Sequence, residues 1–312
     1  LDAIGDRIAE MVQLKVPEGI MGKLSMLPKL AEMAKYPPKT RSGKPACQEI
    51  VLRGDDIDLE ALPILQTWPG DGGCYLTLPM VITRDPKTGG RNVGMYRVQV
   101  QGKRDLAMHW QRHKSGAAHW REMAERGETM PVVIALGGDP ASVYSGSAPL
   151  PPAIDEFLFA GFLRREPVEL AKALTCDLEV PAEAEIVIEG YIDPSEELVM
   201  EGPFGDHTGY YTLPEPYPVF HVTAITHRKD AVYPATIVGI PPMEDFYIGG
   251  ASVKLFLPIF KMNFPEIVDL ALPAEGVFHN LVFVSIRKTY PMQAYKIMHG
   301  LWGMGQMMFT KY

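Results

Sequence analysis

Residues 92–101, NVGMYRVQVQ, alternate with a period of two. On a strand, Met95, Arg97 and Gln99 share one face and Tyr96, Val98 and Val100 the other. A lone arginine in such a run is ordinarily a solvated edge residue. Here its neighbours are apolar and Met95 shares its face, which favours an inward role. The surrounding sequence supports β-structure through the middle of the chain. QEIVLRG (48–54) and YLTLPMVITRD (75–85) are short strands, the second leading into the PKTGG turn. PVVIALGGDP (131–140) is a buried strand ending in a turn. AEIVIEGYI (184–192) alternates cleanly, and residues 219–239 resemble a hairpin turning at residues 228–230.

Helical spacing frames these strands. It occurs in LDAIGDRIAEMVQL (1–14), in SGAAHWREMAERG (115–127) with Ser115 as cap and Gly127 as stop, and in PAIDEFLFAGFLRR (152–165). YPPKTRSGKP (36–45) reads as a linker or surface loop. The tail mixes a helix near residues 255–264, the strand LVFVSIR (281–287) and a helix over MQAYKIMHGLWG (292–303), after a break at GIPPMED (239–245). The pattern is that of an α+β protein with an antiparallel middle and mixed ends.

Composition narrows the function. A chain of 312 residues, 46% hydrophobic and 22% charged, can bury a large core. A net charge of −8 argues against nucleic acid, whose binders present a basic face. No apolar run approaches the roughly 20 residues that span a bilayer. Three scattered cysteines suit a reducing cytoplasm rather than a disulfide framework. P-loop, GxSxG, HExxH and paired-cysteine metal motifs are absent, and the glycines of GLWGMG follow a helix rather than a strand.

Four stretches carry ionisable chemistry. Asn92, Tyr96 and Arg97 lie in the first. In MHWQRHKSG (108–116), His109 and His113 are four apart and on a helix would share a face, a weak metal signal. Glu156 stands on an otherwise apolar helix, where the water-facing side is its default place. The fourth is EGPFGDHTGYY (201–211), whose glycines and proline impose a tight loop. That loop either decorates the surface or carries Glu201 and Asp206 to one point. Two close carboxylates raise the pKa of one, and a nearby arginine lowers both, as proton transfer near neutral pH requires.

In order and spacing, NVGMYR, MHWQRHKSG, DEFLFAGFLR, VPAEAEIVIEGYI, EGPFGDHTGYY and PVFHVTAIT resemble the UbiD family of prenylated-FMN-dependent decarboxylases, from about residue 63 to residue 312. The resemblance implies a central split β-barrel flavin-binding domain flanked by α/β domains. Residues 1–42 would be a remnant of the first, 43–240 the barrel and 241–312 the start of the last, in a chain shorter than the family at both ends. It implies Asn92, His109 and Glu156 as ligands of Mn2+ (or Mg2+), with K+ near the 142–152 loop. Flavin contacts would come from Met95, Tyr96, Arg97, His109, Trp110, Gln111, Lys114 and Ser115. The glutamate–arginine–acid network would be Glu201, Arg97 and Asp206, with Asp206 as proton donor. His207 is read as structural.

The activity that the resemblance implies is a reversible, non-oxidative decarboxylation of an aromatic or α,β-unsaturated acid. The closest motif set is that of enzymes acting on 4-hydroxy-3-polyprenylbenzoate in ubiquinone biosynthesis. Such an enzyme is expected in the cytoplasm as a homo-oligomer, dimer or hexamer, with a flavin prenyltransferase supplying its cofactor. A lipid substrate would add transient contact with a membrane surface, which the negative charge does not favour. A non-catalytic flavin-binding or assembly subunit of a multi-subunit carboxylase is the alternative. An ordinary FMN oxidoreductase is a third reading.

Overall fold

The structure is a computed structural model that describes residues 1–12, 31–151 and 154–312. Two compact units emerge. The larger comprises Ala31–Gly205 and Tyr211–Ile237; the smaller comprises Asp206–Tyr210, Val238–Tyr312 and the N-terminal helix Asp2–Val12.

Among the described residues the larger unit is built on a nine-stranded antiparallel sheet. Its order is Tyr75–Leu76, Val98–Val100, Asp105–Met108, Val219–His227, Ile186–Ile192, Met130–Leu136, Pro79–Arg84 and Arg91–Met95. Ile50–Arg53 adds to the C-terminal half of Val219–His227, where Arg53 faces Ala224 and Ile50 faces His227.

This order dictates a curled shape. Arg91–Met95 ends the order and Val98–Val100 is second from its start, yet only Tyr96 and Arg97 separate them in the chain. The connection from Met95 to Val98 spans at most about 10 Å. Six steps across a flat sheet would need roughly 29 Å. The sheet therefore curls into a half-barrel whose ends approach each other at residues 96–97.

Alternation along the strands fills both faces. Val81, Val132, Ile134, Leu136, Ile186 and Ile188 enter one buried cluster with Leu106, Met108 and Phe220. Met80, Ile82, Val133, Ala135 and Val187 enter another with Phe157, Ala160 and Leu170. The second is roofed by helix Glu156–Arg164 and by the small sheet of Lys39–Thr40, Glu169–Lys172 and Glu179–Pro181.

In the smaller unit, helix Glu244–Asn263 is followed by the antiparallel pair Ile267–Ala271 and Phe283–Ile286 and by helix Gln293–Trp302. Ile267, Ile297 and Leu301 form its core.

The structure caps helix Ser115–Arg126 with Lys114 rather than Ser115, and it departs from the sequence reading in three further places. Residues 92–101 are two strands with different partners, because the chain crosses the gap at Tyr96 and Arg97. The second arm of the expected hairpin at 219–239 has no strand pairing, and Ile50–Arg53 takes the neighbouring edge instead. Residues 109–114 form no helix, so the i, i+4 spacing of His109 and His113 does not place them on one face. Residues 13–14 of the first expected helix, residue 152 of the expected cation loop and residues 152–153 of the helix expected over 152–165 lie outside the described residues.

Candidate active site at the gap of the half-barrel

Arg97 sits where the chain crosses the gap, and its environment is almost dry. Its Nε donates to Glu201 Oε1 at 2.8 Å and its Nη2 to Glu201 Oε2 at 3.1 Å, a two-pronged pairing that fixes the guanidinium plane. Nη2 also donates to Thr212 Oγ1 at 3.1 Å, and the guanidinium carbon lies 4.5 Å from the Phe204 ring centroid. Glu201 is fully buried. His109 Nδ1 lies 2.8 Å from Glu201 Oε2, and facing a carboxylate it must be the donor. Burial works against the Glu201 charge, but His109 and Arg97 outweigh it and hold its carboxyl below the usual range. Glu201 is therefore a fixed carboxylate at neutral pH.

The backbone carrying Glu201 is pinned from the sheet. Gln99, on the face shared with Arg97, accepts from Gly202 N through Oε1 at 3.0 Å and donates to the Gly72 carbonyl at 2.9 Å. Asp71 Oδ1 accepts from Gly205 N at 2.7 Å, while its Oδ2 takes the amides of Thr67 and Trp68. Phe204–Gly205 pairs with Tyr211–Thr212, which delivers Thr212 to Arg97. A side chain at Gly205 would meet the Trp68 ring at 2.0 Å, so glycine is required there by close approach. Asp71 and Gln99 were not marked as functional by the sequence; only the position of Gln99 on the Arg97 face hinted at it.

A second group of side chains gathers around Tyr96. Its hydroxyl bonds the Asn92 side chain and the Gly116 backbone and lies within electrostatic reach of Glu156. Gly94 makes room for it, since a Cβ there would lie 2.3 Å from the Tyr96 ring. Asn92 also donates through Nδ2 to Thr83 Oγ1 at 3.4 Å, and Thr83 Oγ1 lies 3.0 Å from His119 Nδ1. These contacts turn the amide nitrogen toward protein and make Oδ1 the atom that could take a metal. Glu156 opens its helix, capped by Asp155, and accepts from Val93 N at 3.0 Å. Arg91 steadies that cap, donating to Asp155 at 2.8 Å and bonding Glu179.

Two charges in this region lack full compensation. Burial pushes the Glu156 carboxyl up to about 7, the behaviour of a carboxylate short of a cation. Burial alone pulls the Lys114 ammonium down, the behaviour of a lysine short of an anion. Lys114 stands at the N-cap of helix Ser115–Arg126, whose first-turn amides and dipole favour a phosphate. With Nδ1 of His109 engaged by Glu201, Nε2 is the ring atom that could take a metal, a carboxylate-backed arrangement common at metal sites. Among the described residues no three His, Cys, Asp or Glu side chains form a metal-holding group. The expected set has only two such side chains, Asn92 being the third ligand. The donor types, two oxygens and one imidazole, would suit a divalent cation.

Met95 N donates to the Gly146 carbonyl at 3.0 Å and Ser147 Oγ to Met95 Sδ at 3.3 Å. Trp110 is buried with its Nε1 unpartnered among the described residues. Gln111 and Ser115 flank Lys114 in the turn that starts the helix, and Lys114 N donates to the Gln111 carbonyl at 3.0 Å. Arg97, Glu201 and His109 are thus brought together, and Asn92 and Glu156 gather about Tyr96. Asp206 falls in the smaller unit, where its carboxylate bonds His207.

A curled antiparallel half-barrel with a buried arginine–carboxylate pair and a half-buried lysine at a helix start thus frames the candidate site. Residues 39–241 match the family described as the 3-octaprenyl-4-hydroxybenzoate carboxy-lyase Rift-related domain. Residues 246–312 match the corresponding C-terminal domain. The chain belongs to the UbiD family of carboxy-lyases. An uncharacterized protein of Aquifex aeolicus is 52% identical over 100% of this chain and 64% of the relative. One from Archaeoglobus fulgidus is 50% identical over 100% and 63%. The chain thus spans less than two thirds of the length of these curated relatives. Among solved structures it resembles an evolved dimeric form of the UbiD-class enzyme HmfF from Pelotomaculum thermopropionicum in complex with prFMN, with a TM-score of 0.80 and 30% identity over 97% of this chain and 66% of that one. It also resembles vanillic acid decarboxylase of Sedimentibacter hydroxybenzoicus in its closed form, with a TM-score of 0.82 and 25% identity over 99% and 67%.

Proposed function

We propose that this chain carries the cofactor-binding core of a reversible decarboxylase that uses prenylated FMN. Its substrate would be an aromatic or α,β-unsaturated acid of the 4-hydroxy-3-polyprenylbenzoate class of ubiquinone biosynthesis. The supporting observation is the dry Arg97–Glu201–His109 network, which a purely structural subunit has no need to build. The prFMN held by the HmfF relative and the aromatic acid named for the vanillic acid decarboxylase point the same way.

When bound, prenylated FMN would supply an electron sink for the departing CO2, and Mn2+ (or Mg2+), with K+, would offset the charge of its phosphate. Asn92 Oδ1, His109 Nε2 and Glu156 would hold the divalent ion; Lys114 and the amides after Ser115 would hold the phosphate. Met95, Tyr96, Trp110 and Gln111 would pack about the flavin. Arg97, its plane set by Glu201, orients the substrate carboxylate. Glu201 is held ionised and so cannot be the acid at neutral pH. The proton donor is then Asp206, as the resemblance assigns. The enzyme would act in the cytoplasm as a homo-oligomer, take its cofactor from a flavin prenyltransferase, and meet its lipid substrate by transient membrane contact.

Co-expression of the full-length protein with a flavin prenyltransferase tests this. The bound cofactor should have the mass of prenylated FMN, and a panel of 4-hydroxybenzoates should release CO2. Recovery of unmodified FMN reduced by NADH would replace this reading with that of an oxidoreductase. Bound prenylated FMN with no CO2 from any acid would favour an assembly subunit.

A further inference from the structure

The smaller unit holds a buried cluster of ionisable groups around Asp206. His207 supplies two donors to one Asp206 oxygen: its backbone N–H and its ring Nδ1–H each reach Oδ1 at 2.8 Å. Asp245 Oδ2 lies 3.8 Å from the same Nδ1. The His279 ring lies tilted against that of His207 with centroids 4.9 Å apart, and Phe278 closes another side at 5.4 Å. Glu244, beside Asp245 at the start of its helix, adds a third carboxylate. Lys311 is the further charge felt by His279.

Two features of the cluster suit a working site better than packing. His207 Nε2, Glu244 Oε2 and His279 Nδ1 are all buried without hydrogen-bond partners among the described residues, and native structures leave few such atoms. The backbone under the cluster is held in the left-handed region at Val277 (φ 44°) and Phe278 (φ 58°), which side chains of these types avoid.

The cluster also sorts its protons. Burial lowers His279 to about 4, and the charge of His207 acts in the same direction, so His279 is neutral. Burial opposes charge on His207 as well, but the Asp206 hydrogen bond and the charges of Asp206, Asp245 and Glu244 prevail and raise its pKa. Of the two neighbouring imidazoles, the one touching Asp206 holds its proton to the higher pH.

We propose that His207 is the positioning residue of the Asp206 acid, fixing its carboxyl through two donors on Oδ1. The inference rests on the reading of Asp206 as proton donor. With Oδ1 saturated by two donors, the transferable proton rides on Oδ2. In turnover the Oδ2–H bond breaks, the proton forms the new C–H bond at the carbon that lost CO2, and Asp206 is left a carboxylate. The two His207 donors stabilise that carboxylate, and solvent returns the proton for the next cycle. The charges of Asp245 and Glu244 favour a proton on His207, while the neighbouring His279 stays neutral.

His207→Asn keeps a side-chain donor but cannot carry charge. In the full-length protein reconstituted with prenylated FMN, kcat should fall at least about 10-fold, a part of the 10²–10⁴ that a placed acid contributes. The assay uses whichever of 4-hydroxybenzoate, vanillate and 3,4-dihydroxybenzoate turns over fastest. KM and flavin content should stay within about 2-fold of the parent, and the fall of kcat with rising pH, present in the parent, should disappear. In the unaltered protein, NMR of the His207 ring should show titration above 6.5 that drops in Asp206→Asn. A ring titrating at or below 6.5, or a His207→Asn variant with the parent kcat and pH profile, overturns the proposal. If Asp206→Asn itself turns over at the parent rate, the donor reading fails and takes the proposal with it. Loss of turnover there with an unaffected His207→Asn sinks the proposal alone.

Discussion

At the scale of single residues, Glu201 shows how much a buried charge depends on its partners. It is fully buried, and its carboxylate is shared between the Arg97 fork and His109 Nδ1. Removing one partner leaves a charge that neither water nor the remaining imidazole can satisfy. Arg97→Met keeps the apolar stem but deletes the fork, and should cost about 3–5 kcal/mol, the usual penalty for breaking a buried pair from one side. Urea unfolding at pH 7 measures it. A change under about 1 kcal/mol would mean that Glu201 takes up a proton cheaply. The inward turn of Arg97 was legible, because Met95 shares its face and its neighbours are apolar. The bond from His109 to Glu201 was not, since 92 residues separate the partners and no local pattern joins them.

At the scale of elements, the hairpin of Phe204–Gly205 with Tyr211–Thr212 is held by groups outside it. Asp71 bonds Gly205 N, and the Trp68 ring fills the space where a side chain at 205 would lie. Gly205→Ala places a methyl 2.0 Å from that ring, so the ring or the hairpin must shift. The expected cost is about 1–3 kcal/mol, as for other overpacked sites. A second change, Trp68→Leu, should recover part of it in a double-mutant cycle; no coupling would mean that the ring simply moves aside. The irregular backbone of EGPFG was legible from its glycines and proline. Its clamp was not, because Asp71 lies in a PGDGG turn that reads as ordinary surface. Residues 92–101 mark the same limit. Alternation fixed which face each side chain takes, whereas the break at Tyr96 and Arg97 comes from partners far apart in the chain, Met80 with Met95 and Tyr75 with Gln99. The hairpin expected at 219–239 failed similarly: alternation marked Val219–His227, but pairing by Ile50–Arg53, about 170 residues upstream, decided its edge.

At the scale of the whole molecule, the two units carry titratable groups of opposite sign. In the larger, Glu201 lies below its usual range, so its stabilisation is present above the unfolded value near 4.5 and is lost as pH falls through the lower folded value. In the smaller, burial and then Asp245 push Glu244 up to about 7, and His207 is raised above 6.5. For both, the stabilisation is complete below the unfolded value and fades as pH rises through the folded one. Glu156, pushed up to about 7, adds the same sign within the larger unit, so the effect must be read locally rather than from one melting curve. Hydrogen exchange between pH 5 and 8, corrected for the intrinsic rate, resolves it. Amides of helix Glu244–Asn263 should lose protection as pH rises, while those of Val199–Glu201 and its partner strand Glu215–Tyr217 should not. Glu244→Gln removes the group with the largest upward shift in that helix, and should flatten the dependence there without touching the strands. If helix and strands lose protection together, the two units unfold as one body and their titrations cannot be assigned separately.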